Sequence, residues 1–106
     1  MDVSIEHQLD GSAVVGVTGE LDVFTAPKLE EQLSQLIAGG TSGVTLDLTS
    51  VDFLDSTGLG VMVKALKWAK EAGGNLQVVA SEEKIVKVFR ITGLDEVMSL
   101  RPTLGE

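Results

Sequence analysis

The sequence contains no cysteine, which excludes a disulfide framework and a thiolate metal site. It has one histidine, His7, and a lone histidine with no cysteine beside it is a poor basis for a metal centre. Basic residues are scarce, with 8 Lys and Arg against 16 Asp and Glu and a net charge of -8. That balance argues against nucleic acid or an anionic membrane as the main partner. No apolar run is long enough to span a bilayer, and the N-terminus lacks a signal-peptide pattern, so a soluble cytoplasmic protein is expected. Nucleotide loops are missing too. Thr57-Gly58-Leu59-Gly60 lacks the remaining glycine of a dinucleotide fingerprint, and there is no Gly-Lys-Ser/Thr run. There is also no Gly-x-Ser-x-Gly elbow, and His7 on a first strand is a poor general base for Ser56. The expectation is a protein that is not an enzyme, with no catalytic residue, cofactor or metal.

What is present fits one domain over the 106 residues, with an ordered core from about residue 2 to 100. Charge is lopsided. Residues 1–60 hold 10 acids and one lysine, and residues 61–106 hold 6 acids and 7 basic residues. Most of those carboxylates read as a solvated surface. Val3, Ile5, His7 and Leu9 alternate with polar residues and predict a strand with one apolar face. Asp10-Gly11 predicts a two-residue hairpin turn. A second strand follows over residues 13–21, with Gly16 and Gly19 marking a bend or a close backbone approach. Thr25 is placed to cap a first helix with Pro27 in its first turn. Leu29, Leu33, Leu36 and Ile37 give that helix its core face, and Gly39-Gly40 stops it.

After a short turn at Thr41-Ser42-Gly43, Val44, Leu46 and Leu48 predict a buried strand. A central helix is expected from about residue 57 to 72. Its core stripe is Leu59, Met62, Val63, Leu66 and Ala69, with Val61, Ala65, Trp68 and Ala72 beside it. Neighbouring helices would pack that second stripe. Alternatively, its part near Val61 would dock a partner. Residues 75–79 predict another strand. Ser81 is placed to cap a third helix bearing Ile85, Val88 and Phe89, with Gly93 at its end. A last short strand is expected over residues 97–100, then a loose tail. The order β-β-α-β-α-β-α-β implies an opening antiparallel pair, then parallel pairs with right-handed crossovers. The expected fold class is α/β, a mixed β-sheet layered with helices.

The junction between the third strand and the central helix carries the most chemistry. Ser56 there reads in two ways. It is an N-cap, which is common. Or it is an exposed hydroxyl in the positive field of a helix N-terminus, at a place that tolerates an added anion. Asp22, Asp52 and Asp55 could also cluster around a Mg2+ ion, as in a receiver-like phospho-aspartate site. The opening hairpin, and the lack of an adjacent acidic pair at the end of the first strand, oppose that reading.

The run Asp47-Leu48-Thr49-Ser50-Val51-Asp52-Phe53-Leu54-Asp55-Ser56-Thr57-Gly58-Leu59-Gly60 resembles the signature of the STAS domain, and more narrowly that of the bacterial anti-sigma factor antagonists. Gly19-Glu20-Leu21-Asp22, Thr25-Ala26-Pro27, Gly73-Gly74 and Ile91-Thr92-Gly93-Leu94 extend the likeness over essentially the whole chain. The resemblance implies a STAS-like fold and a partner switch. Its partners would be an anti-sigma factor that is also a GHKL-type serine kinase, and a metal-dependent serine phosphatase. Ser56 matches the phosphorylated serine, Asp22 a nearby acid, and Thr57 a position that some relatives modify. The binding surface would comprise Asp22, Asp55, Ser56, Thr57, Gly58 and Val61. The other function class for such a domain is a small-ligand or nucleotide-binding module.

Overall fold

Alternating apolar residues build a five-stranded sheet in the order β1-β2-β3-β4-β5. The computed structural model describes residues 1–41 and 43–104, so Ser42 in the expected turn and the end of the tail lie outside the described residues. Within them run β1 (Asp2–His7), β2 (Ala13–Leu21), α1 (Ala26–Ala38), β3 (Gly43–Leu54), α2 (Ser56–Glu71), β4 (Asn75–Val79), α3 (Glu83–Thr92) and β5 (Ser99–Arg101). A short 3-10 turn, Leu94–Glu96, precedes β5 and went unforeseen. The β1–β2 pair is antiparallel and the other three are parallel. No helix among the described residues is long and apolar enough to cross a membrane.

Strand order follows chain order, and right-handed crossovers then place all three helices on one face of the sheet. Burial agrees. Val15, Leu46 and Val78, aligned across β2, β3 and β4, are buried in one cluster with Leu29, Met62 and Phe89 of the helices. Val14, Thr45 and Gln77, aligned on the opposite face, are only half-buried. On that open face Arg101 Nη1 donates to Gln77 Oε1 at 3.3 Å, so the arginine stem lies along the β4–β5 pair.

Several local expectations are corrected. The hairpin loop is three residues, Leu9-Asp10-Gly11, because Gln8 N–H donates to Ser12 O at 2.8 Å. A two-residue type I′ turn would need positive φ at Asp10, whereas only Gly11, at +90°, is left-handed. Asp10 Oδ1 accepts from Ser12 Oγ at 2.6 Å and from Ser12 N–H at 3.0 Å, which holds the Asp10 carboxyl below its ordinary value. The apolar face of β1 is not a core face. Val3 is half-buried, but Ile5, His7 and Leu9 are exposed, because an edge strand lies beyond the reach of the helices. A cleft of about 460 Å³, lined by Ile5, Glu31, Gln35 and Leu36, separates β1 from α1.

The strand expected to end at Leu48 continues to Leu54. Two register shifts against β2, between Gly16 and Thr18 and between Gly19 and Glu20, let β3 carry extra residues as bulges. The first is braced by Asp47 Oδ1, which accepts from Thr49 Oγ1 at 2.7 Å and Thr49 N–H at 3.0 Å. Beyond it the burial period becomes three, with Leu48, Val51 and Leu54 inward, so an alternation test fails there.

Neither Ser81 nor Thr25 caps a helix with its side chain. Glu82 occupies the N-cap of α3, and Thr25 sits at the N-cap of α1 without such a bond. Gly93, with φ of +76°, closes α3 as expected. Along α2 the core stripe is buried except Val63, which is 45% exposed. The second stripe packs beside α1 from Val61 to Trp68, while Ala72 is exposed. Val61 and Ala65 are buried, while Trp68 is half-buried in the groove where Ser34, Ile37 and Glu71 also lie.

Candidate functional site

β2 and β3 run parallel, so their C-terminal ends meet at one corner of the sheet. There Leu21 pairs with Leu54, and Asp55 N–H donates to Leu21 O at 3.3 Å. The chain leaves β3 and enters α2 within that bond's reach. Asp55 is extended, with φ of -112° and ψ of -174°, and is the N-cap. Its Oδ1 accepts from Thr57 N–H at 2.9 Å and Gly58 N–H at 3.2 Å. Asp55 therefore takes the role that the cap reading assigned to Ser56. Ser56 is the first residue of α2 and is exposed. Its side chain is released from capping, while the positive end of the helix remains beside it.

Gly58 is needed for close approach. A Cβ there would lie 2.7 Å from Leu54 Cδ1, 2.9 Å from Leu21 Cγ and 3.1 Å from Leu21 O. The first turn of α2 thus rests directly on the ends of β2 and β3, which fixes where Ser56 stands. Thr57 is half-buried beside it.

The loop after β2 is folded onto the same corner. Asp22 Oδ1 accepts from Phe24 N–H at 2.9 Å and from Thr25 N–H at 3.1 Å. Thr25 Oγ1 donates to Glu20 O at 2.8 Å and accepts from Asp22 N–H at 2.9 Å. Asp22 is thus brought to the end of the sheet that holds Asp55, Ser56, Thr57 and Gly58. Val61 is not on this surface; at 4% exposure it belongs to the core beneath it. The carboxylates of Asp22 and Asp55 each serve the amides of their own turn, which works against a shared Mg2+ position. Among the described residues no group of three acids or histidines could hold a metal ion.

Sequence reasoning missed the apolar side chains at this corner. Val23 is 57% exposed, Phe24 88% and Phe53 48%. Phe53 pairs with Glu20, the residue to which the loop is tied. The available signal was an apolar pair inside a turn segment, Val23-Phe24, where no strand or helix could bury it.

The STAS domain family model matches residues 4–106. The anti-sigma-B factor antagonist of Bacillus subtilis (strain 168) is 35% identical over 101 residues, covering 94% of this chain and 92% of that protein. The anti-sigma-B factor antagonist of Staphylococcus epidermidis is 44% identical over 84 residues, covering 79% of this chain and 78% of that protein. Among solved structures, an anti-sigma factor antagonist from Mycobacterium paratuberculosis superposes with a TM-score of 0.88 at 34% identity, covering 97% of this chain and 86% of that one.

Proposed function

The chain belongs to the STAS domain family, and from that premise we propose that it is an anti-sigma factor antagonist that switches partners through Ser56. In this reading the unmodified protein binds an anti-sigma factor that is also a GHKL-type serine kinase, and the sigma factor is released. Phosphorylation of Ser56 ends that binding, and a metal-dependent serine phosphatase restores it. The protein acts by binding, without a catalytic step of its own. The observation that carries the reading is the exposed position of Ser56 as first residue of α2, with capping done by Asp55.

The physical consequence of modification follows from that position. A phosphate on Ser56 adds about -1.5 to -2 charges. The positive helix end offsets part of the charge, and Asp55 and Asp22 oppose it. The fold is retained while the surface becomes bulkier and more negative. A hundredfold loss of affinity needs only about 2.7 kcal/mol. Repulsion and an unmatched desolvated phosphate at an interface are of that order, so no large rearrangement is required.

Ser56→Ala should bind the anti-sigma kinase persistently and resist phosphorylation. Ser56→Asp should bind more weakly in a folded protein. Calorimetric titration of both variants with the kinase, and intact mass after incubation with ATP, check this. Equal binding by two folded variants would remove Ser56 from the switch and direct attention to Thr57. Nucleotide binding by the isolated chain, with no kinase-dependent gain in mass, would favour a ligand-binding module instead.

A further inference from the structure

We propose that Val23, Phe24 and Phe53 form an apolar anchor that seats in a basic-rimmed apolar pocket of the anti-sigma factor. This rests on the function proposed above and names the chemistry of its interface. Three of the exposed large apolar residues, 57%, 88% and 48% open to solvent, lie on the loop after β2 and the end of β3, the two segments that run to the end of the sheet where Ser56 stands. One exposed apolar side chain carries little meaning, but a group beside a candidate modification site does.

The anchor is held in place. Phe24 N–H and Thr25 N–H both donate to Asp22 Oδ1, and Thr25 Oγ1 donates to Glu20 O. The turn that projects Phe24 is therefore tied at both ends. Phe53, near the end of β3, is the register partner of Glu20, the residue to which the turn is tied. A backbone fixed before docking loses little freedom on association, which favours affinity. Aromatic side chains presented in this way dominate interface energetics where a partner pocket excludes water from them.

The charges at the corner identify the occupant. Glu20 and Asp52 are exposed and Asp22 and Asp55 half-buried; the three aspartates lie within two residues of an anchor residue, and Glu20 is the register partner of Phe53. Residues 1–60 carry 10 acids and one lysine. A second copy of the chain would bring like charge to like charge. An apolar pocket rimmed by Arg or Lys matches both the phenyl groups and the carboxylates. Phosphate on Ser56 would then fall at the edge of the desolvated contact, where an extra anion is most disruptive.

The test is calorimetric titration of the purified anti-sigma factor from the same organism with the wild-type chain, Phe24→Ser, Phe53→Ser and the double variant. Thermal melts and sedimentation accompany each. Phe24 and Phe53 are exposed, so melting should barely move. Affinity should fall at least about thirtyfold for Phe24→Ser and further for the double variant. Wild-type binding with the double variant within about threefold of it, a difference worth only ~0.65 kcal/mol, would overturn the anchor and leave the antagonist reading standing. Failure of the wild-type chain to bind would overturn both. A wild-type dimer that the Phe24→Ser change dissolves, with anti-sigma binding unchanged, would make the patch a self-contact and overturn the proposal.

Discussion

At Asp55 one carboxylate oxygen accepts from two amides, at 2.9 and 3.2 Å, and the adjacent Ser56 is left exposed. Two neighbouring residues thus divide two tasks that a single serine would otherwise combine. The division matters because a capping serine keeps its hydroxyl on the helix amides, whereas Ser56 is exposed while Asp55 does the capping. It also separates two substitutions that look alike in sequence. Asp55→Ala should cost about 0.5–2 kcal/mol through loss of the cap. Ser56→Ala should stay within about 0.5 kcal/mol, as exposed substitutions do. Paired thermal melts check this, and an equal loss at both positions would mean that the serine shares the capping.

Among the elements, α2 is seated by the close approach at Gly58 as well as by its buried stripe. No side chain separates its first turn from Leu21 and Leu54. Gly58→Ala would put a Cβ 2.7 Å from Leu54 Cδ1 and 3.1 Å from a backbone oxygen. The side chain can shift, but the carbonyl cannot move without straining β2. The expected loss is about 1–3 kcal/mol, as for overpacking in other close-packed sites. It should come with displaced amide resonances around Ser56 in a two-dimensional NMR spectrum. A stable Gly58→Ala protein with unmoved resonances would show that α2 is positioned from its middle, by Met62 and Leu66. The bulges in β3 act at the same scale. They lengthen the strand so that its end reaches the corner, and Asp47 braces the first through Thr49.

For the whole molecule, the uneven distribution of charge sets how a partner is met. The part of the chain that builds the Ser56 corner, residues 1–60, has 10 acids against one lysine, while the remainder is nearly balanced, with Lys84, Lys87 and Arg90 on α3. Such a field steers a basic partner towards the corner and is screened within about 8 Å at physiological ionic strength. The association rate with the anti-sigma factor should therefore fall as salt rises, with dissociation changing less. Stopped-flow kinetics at several salt concentrations check this. A salt-independent association rate would mean that the acidic corner takes no part in the encounter. The ion pair of Lys64 and Glu30, 3.2 Å apart and largely exposed, ties α2 to α1 but contributes little to stability.

The sequence by itself determined the element order, the parity of the core strands and the stops at Gly39 and Gly93. These depend on local periodicity and backbone freedom, which neighbouring residues carry. It also determined that the Asp-Ser-Thr-Gly run lies between a strand and a helix. Tertiary structure decided the rest. Ile5 and Val61 look alike in pattern, yet one is exposed and the other buried, because exposure depends on which element a face meets. The exchange of roles between Asp55 and Ser56 turns on a single residue at the helix start, finer than any periodicity resolves. The extension of β3 to Leu54 needs β2 alongside it, since its bulges are defined only against a partner strand. Phe24 and Phe53 stand 29 residues apart in the chain, and only the parallel pairing of β2 with β3 brings the segments that carry them to one end of the sheet.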